Sequence, residues 1–345
     1  MSTKRLVRRT VFDSFIFGYL IMVTLTVALQ PSSEQMLKLG QNTLIFLATM
    51  FLGALLSAAL NKSKNPSLHT LGEKLFGSAG TVHHHETVSY RSFANWQLGI
   101  FFLVTFVVGV VVTRFSFSEL LNEDGFEGAV RLFKGLGNPN FDILPRAVLN
   151  IIETIFMAFV ATALSVPFAF VLSFFCAKNV MKGPWAYSLY LLLRTFLNFT
   201  RAIEALIWAI IFSVWVGIGP FAGMLALWVH SMASLAKQYS EMVESVSEGP
   251  IEGILSTGAT PLQTVWFAIV PQVLLPYISF TVYRWDINVR MATIIGLVGG
   301  GGIGTMLIQY QGQAMWPEVG CIILVIAVVV WGMDQASAII REALK

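Results

Sequence analysis

Eight stretches of this chain are apolar for long enough to cross a lipid bilayer, at roughly 11–30, 43–60, 97–113, 148–176, 184–217, 220–246, 263–297 and 318–340. That feature constrains the fold more than any other. In hydrocarbon every backbone polar group has to be satisfied internally, so runs of this length are expected as helices packed side by side. Composition agrees. Of the residues 56% are hydrophobic and only 12% charged, whereas a soluble domain carries about 25% charged residues. A chain with so little polar surface cannot cover itself in water. The formal charge of +3 is too small to imply a nucleic-acid partner. Cys176 and Cys321 both sit in apolar runs and give no disulfide framework.

The 34-residue stretch 184–217 reads either as two short helices broken near Asn198–Arg201 or as one long kinked pass. Charge placement decides for one pass. With the N-terminus inside, the inner side holds Lys4, Arg5, Arg8, Arg9, Lys62, Lys64, Lys74, Arg91, Lys178, Lys182, Lys237, Arg341 and Lys345. The outer side holds Lys38, Arg114, Arg131, Lys134 and Arg146, four of them in one long loop. Positive residues favour the cytoplasmic side, and both termini fall there only if the span count is even. The first span follows a basic cluster as a signal peptide does. Its length, and Gln30-Pro31-Ser32-Ser33 in place of a small-residue cleavage site, make it a retained anchor.

Three regions follow: a transmembrane hairpin at 1–60, a polar cytoplasmic linker at 61–96, and a transmembrane domain at 97–345. The external segment 114–147 is amphipathic and is expected to contain a short interfacial helix. His83-His84-His85-Glu86 in the linker reads as a solvated loop, because consecutive imidazoles point in different directions and chelate one ion poorly. No metal site is expected.

The segment Glu248-Gly-Pro-Ile-Glu-Gly-Ile-Leu-Ser-Thr-Gly-Ala-Thr-Pro261 lies between two spans. Pro250 is expected at the start of a short helix over 249–261, Glu252 in its first turn and Gly258 at its C-terminal cap. So short a helix is unstable alone in water, and it makes sense when seated in a groove on a partner. Glu252, then Gly258 six residues on, then Pro271 thirteen beyond that, resembles the EAA loop of bacterial ABC-importer permeases. The chain departs from that pattern with Gly253-Ile254 for Ala-Ala, Ala268 for Ile and Val270 for Leu.

The likeness extends to Arg201-Ala-Ile203, Val216–Gly223, His230, Lys237, Glu241, Tyr283–Arg290 and Gly296–Gly304. Together these resemble the phosphonate-importer permeases, from about residue 97 to the C-terminus. Glu204-Ala205 stands where the family has Pro-Glu, and Asp286 where Glu is usual. The resemblance implies an all-α integral membrane protein with a type I ABC-importer permease core of six spans, to which residues 1–60 add a hairpin. It implies a homodimeric pathway in a bacterial inner membrane, two ABC ATPase subunits on the cytoplasmic side and a substrate-binding protein outside. The implied cargo is phosphonate or a related phosphorus oxyanion, and no cofactor is implied. ATPase contact would fall on Glu248, Pro250, Glu252, Gly258, Ala259 and Pro271.

Charges inside spans are costly and either pair or line a watery path. Arg201 with Glu204, and Asp286 with Arg290, stand three and four apart, so each pair shares a helix face; Arg284 stands nearby. Two readings stay open: internal ion pairs that fix helix packing, or an arginine-lined passage in which the guanidinium fork grips oxyanions. His230 reads as a packing residue in the first and a pathway residue in the second. Gly299, Gly300, Gly301, Gly302 and Gly304 have glycine spacings seen in phosphate loops, but no strand precedes them and no Gly-Lys-Ser/Thr follows. They are expected to break a helix near the outer surface beside a gate, or to let helices approach closely.

The chain has no Walker lysine motif, so ATP hydrolysis belongs to a separate subunit. Two other classes compete. A secondary transporter tolerates the glycine break and the acidic groups but gives the EAA spacing no role. A membrane enzyme acting on lipid phosphates needs a nucleophile or metal constellation, and apart from the linker histidines none is visible.

Overall fold

In the computed structural model, residues 3–29, 39–62, 70–76, 93–113 and 115–344 are described, and all regular structure among them is helical. The linker histidines lie outside the described residues. The chain divides into two compact units, residues 1–122 and 123–345.

The first unit holds α1 (Thr3–Leu29), α2 (Leu39–Lys62), α3 (Leu71–Phe76), α4 (Phe93–Val112) and α5 (Phe117–Leu120). The α1–α2 pair is close because Gly53 lies against the backbone of Ser14 and Gly18, with no room for a side chain. Asp13 is fully buried on α1 and accepts hydrogen bonds from the Thr70 hydroxyl and from the Gly72 amide at 2.8 Å. The Gln97 side chain on α4 accepts from the Leu71 amide at 2.9 Å. The start of α3 is thus capped by two neighbouring helices, which satisfy the free amides of Leu71 and Gly72.

The second unit begins with α6 (Glu123–Leu136), amphipathic as expected, with Phe126, Val130 and Phe133 exposed along one stripe. A 3-10 turn at Phe141–Ile143 leads into α7 (Leu144–Phe175). There follow α8 (Pro184–Ala202), α9 (Ala205–Val216), α10 (Pro220–Glu244), α11 (Glu248–Ser256) and α12 (Pro261–Thr264). A π-turn over Val265–Ile269 joins α12 to α13 (Val270–Ile295), and a 3-10 turn at Gly296–Val298 precedes α14 (Gly302–Gly312) and α15 (Trp316–Ala343).

Helices cover all eight expected spans. Among the described residues four segments are long and apolar enough to cross a membrane unaided: Phe93–Val110, Phe141–Phe175, Pro261–Val298 and Trp316–Ala343. The α8–α9 pair passes the same test jointly. The helix α10 does not, for a packing reason. It is the most enclosed helix, and its buried faces carry Ala222, Gly223, Ala226, Ser231, Ala233, Ser234, Ala236 and Ser240. These meet Ala158, Ala161, Thr162, Ser165 and Ala169 on α7. Small residues on both sides allow close backbone approach, the main source of helix association in lipid. A helix wrapped in protein needs no hydropathy of its own.

The stretch 184–217, expected as one long kinked pass, is a pair of helices that together are apolar enough for one span. The chain turns by 89° between α8 and α9, with Ile203 (φ −85°, ψ 120°) and Glu204 (φ −62°, ψ 146°) in extended conformation. No proline or glycine causes the break. Tertiary hydrogen bonds hold it, because the carbonyls it frees find side-chain donors. Trp208 Nε1 donates to the Thr200 carbonyl at 3.3 Å, and His230 Nδ1 meets the Ile203 carbonyl at 3.2 Å. The short α14, which the hydropathy pattern does not announce, is the other irregular feature.

Candidate translocation site and coupling helix

The bend between α8 and α9 opens a cavity of about 390 Å³, lined by Asn198, Arg201, Ala202, Glu204, His230, Ser234, Gln238 and Arg284. Four of the six residues expected along a pathway therefore converge: Arg201 from the end of α8, Glu204 from the start of α9, His230 from α10 and Arg284 from α13. Arg201 and Glu204 do not share a helix face as expected, because the helix ends between them. Both are exposed, and no ion pair joins them among the described residues.

Arg284 occupies the deep end at 8% exposure. Its Nε donates to Ser231 Oγ at 3.2 Å, and its Nη2 to Ser234 Oγ at 3.0 Å and to the His230 carbonyl at 3.3 Å. All three acceptors are neutral. Behind it Asn288 Nδ2 donates to Thr162 Oγ1 and to Ser231 Oγ, each at 2.8 Å, tying α7, α10 and α13 together. The guanidinium is therefore held from behind and at its sides, while Nη1 makes no hydrogen bond among the described residues. His230 meets a carbonyl, which only accepts, so its Nδ1 carries the proton. Gln238 Oε1 is buried at the wall without a partner among the described residues.

Asp286 and Arg290 lie apart from this cavity. They pair with each other at 2.7 Å, and Arg290 also reaches Asp334 on α15 at 3.4 Å. The Asp286 side chain is 4% exposed, those of Arg290 and Asp334 43% and 42%. Asp334 was missed in the sequence; a lone carboxylate inside an apolar run was the available signal. Asn198, Ser234 and Gln238, missed too, offer no signal except by position.

At one end of the bundle α11 stands out with no buried residue. Ser247 is its N-cap, so the helix begins at Glu248, earlier than expected, and stops at Ser256 instead of running to 261. Pro250 still falls in the first turn, where amides lack intrahelical partners; Glu252 moves to the second turn. Gly258 has φ +81° and donates its amide to the Leu255 carbonyl at 3.0 Å, a left-handed terminator that glycine adopts without strain. Glu248, Pro250, Glu252 and Gly258 are all exposed, and Ala259 is half-buried. Thr260 and Gln263 then form a capping box that starts α12.

Pro271 explains the π-turn. It has no amide proton, and its ring would strike the carbonyl four residues back, so the ladder slips by one residue; the Val270 amide bonds to the Val265 carbonyl. Gln272, unremarked in the sequence, bridges the result. Its Nε2 donates to the Ala268 carbonyl at 2.7 Å, and its Oε1 accepts from the Ser247 amide at 3.0 Å. The base of α13 thereby holds the first residue of the α11 cap.

At the opposite end the glycine run breaks the helix between α13 and α14. Gly299, Gly301 and Gly302 have positive φ. The chain is also tightly packed there: a Cβ on Gly301 would meet Pro220 at 2.6 Å, and Gly223 and Gly304 press on backbone at Gly300 and Thr293. Glu153 and Thr154 of α7 accept hydrogen bonds from the first amides of α14, at 3.3 and 2.9 Å.

Residues 146–344 match the family model described as binding-protein-dependent transport system inner membrane component. The chain belongs to that family. It is 33% identical over 246 residues to the phosphite transport system permease protein PtxC of Stutzerimonas stutzeri, covering 70% of this chain and 88% of the relative. It is 34% identical over 221 residues to the phosphate-import permease protein PhnE of Mycolicibacterium smegmatis, covering 64% of this chain and 41% of that one. An inward-facing structure of the MetNI methionine ABC transporter aligns with a TM-score of 0.52 at 23% identity, over 60% of this chain and 99% of the transporter chain. The expected ABC-importer permease fold is thus met, in a multi-pass component of an inner membrane that works with a binding protein.

Among the described residues no group of three or more His, Cys, Asp or Glu side chains is placed to hold a metal.

Proposed function

We propose that this permease imports phosphonate or a related phosphorus oxyanion as a homodimer, with both termini and α11 in the cytoplasm. The observation that carries the coupling role is α11 itself, nine residues long, with no fully buried residue, only Ile251 packed against the core of its own chain, and ended by a left-handed glycine. So short and exposed a helix gains further stability from a partner groove. An ATPase subunit on each protomer fits that requirement, and the names of the relatives support the cargo class. The chain contributes no ATPase chemistry of its own. ATP binding draws the two ATPases together and swings α11, and through Gln272 and α13 the motion reaches the bend at Ile203–Glu204.

Residues 97–345 are proposed as the permease domain, after a hairpin at 1–60 and a linker at 61–96. Arg201, Glu204, His230 and Arg284 face the cargo; Asp286 and Arg290 form an ion pair in the wall. The glycine break at 299–304 forms the outer gate.

Co-purification with the ATPase tests the reading. Glu252→Lys and Gly258→Glu are each expected to abolish ATPase capture while the permease stays folded by its melting profile. Full capture by both variants overturns the coupling assignment.

A further inference from the structure

Resting on that reading, we infer that the cavity at the α8–α9 bend is a binding site for one small phosphorus oxyanion within each protomer. Three observations meet there. Arg284 is a buried cation whose partners are all neutral, and its Nη1 is left over. Glu204 shares the lining but makes no ion pair with Arg284 among the described residues, and it faces two arginines; an anion from outside the chain relieves the cost of the excess positive charge. Second, Gln238 lines the same hollow with a buried amide oxygen that has no partner among the described residues. An acceptor there receives the P–OH of a protonated oxyanion, or the amide turns over to donate. Third, the volume of about 390 Å³ is at the lower end of small-molecule sites, roughly 300–1,000 Å³.

The charge count sets the class. Arg201 and Arg284 give two positive charges against one negative from Glu204. A monoanion is neutralised, and a dianion is held against the repulsion of Glu204, which keeps release possible. Tetrahedral oxyanions present paired oxygens that match the guanidinium fork. The lining also contains both sides of the bend, Arg201 before it and Glu204 after it. An anion bridging Arg201 and Arg284 therefore fixes the end of α8 against α13, and occupancy biases the angle between α8 and α9.

The test uses the full chain with its ATPase subunits in nanodiscs, and ³¹P line broadening of phosphite, methylphosphonate and inorganic phosphate. Wild type is expected to broaden at least one of these signals. Arg201→Gln and Arg284→Lys each weaken the effect on the order of tenfold, the scale of a lost charge-assisted contact. Lys134→Gln, which removes a surface charge on α6, leaves it unchanged. Arg201 has no hydrogen-bond or ion-pair partner among the described residues, so its variant reports on binding even if the Arg284 variant folds poorly. Unchanged broadening in Arg201→Gln and a folded Arg284→Lys overturns the inference. So does absence of broadening in wild type, including the case where an anionic phospholipid co-purifies and Arg284→Lys releases it, which gives the cavity to a lipid headgroup. ATPase co-purification, read on the same samples, tests the importer reading separately.

Discussion

Arg284 and Arg290 stand six residues apart on α13 and live in opposite circumstances. Arg290 touches two carboxylates, Asp286 at 2.7 Å and Asp334 at 3.4 Å. Arg284 touches only hydroxyls and a carbonyl, and borders a hollow. The first cluster is a set of direct ion pairs that joins α13 to α15, although Asp286 Oδ1 stays buried without a hydrogen bond among the described residues. The second is aligned by its neighbours yet left electrically incomplete. In a chain that crosses lipid, where each bare charge is expensive, an incomplete cluster marks where something from outside the chain binds.

The largest expected effect comes from opening the paired cluster. Arg290→Met leaves Asp286 and Asp334 without their paired cation, at a cost of about 2–3 kcal/mol, less than for a fully buried pair because Arg290 and Asp334 are 43% and 42% exposed, read as a lower unfolding midpoint. Adding Asp286→Asn and Asp334→Asn to it should recover most of the loss. If Arg290→Met instead keeps its midpoint and loses uptake, the contrast between the two arginines collapses. A middle-sized effect sharpens the other side: Ser231→Ala removes an acceptor of Arg284 Nε and a partner of Asn288, costing about 1–3 kcal/mol. Its signature is a raised KM for anion uptake together with a modest loss of stability; stability loss with an unchanged KM would mean that Ser231 does not align Arg284. The smallest effect is expected at Gln272→Leu, which deletes the hydrogen bond to the Ser247 amide, worth about 0.5–1.5 kcal/mol. ATPase capture should persist while anion moved per ATP falls a few-fold; unaltered coupling would reduce Gln272 to a local filler.

Much of the fold was legible because hydropathy acts over long windows and α11 carries local devices, Pro250 in its first turn and Gly258 beyond its end. The bend at Ile203–Glu204 was legible only as an alternative break near Asn198–Arg201, set aside on charge placement. Arg201-Ala-Ile-Glu-Ala205 contains no helix breaker, and the bonds that sustain the break come from Trp208 and from His230, 27 residues away along the chain. The same break defeated the i,i+3 pairing expected of Arg201 and Glu204. Asp286 and Arg290 obeyed their local spacing because α13 is continuous there. Asp334 needed a contact across 44 positions, which spacing cannot report.

The low hydropathy of α10 carries a consequence for how the protein is made. Inserted residue by residue, a segment rich in Ala, Ser and Gly with His230 at its centre has little affinity for the bilayer on leaving the ribosome. Its preceding neighbour α9 is strongly apolar, and only the glycine turn Gly217–Gly219 separates them. The pair is therefore suited to enter as one hairpin, α9 carrying α10 with it. Final placement of α10 then waits for α7 to offer its alanine face, so the helix at the heart of the bundle is seated by its neighbours and not by the lipid.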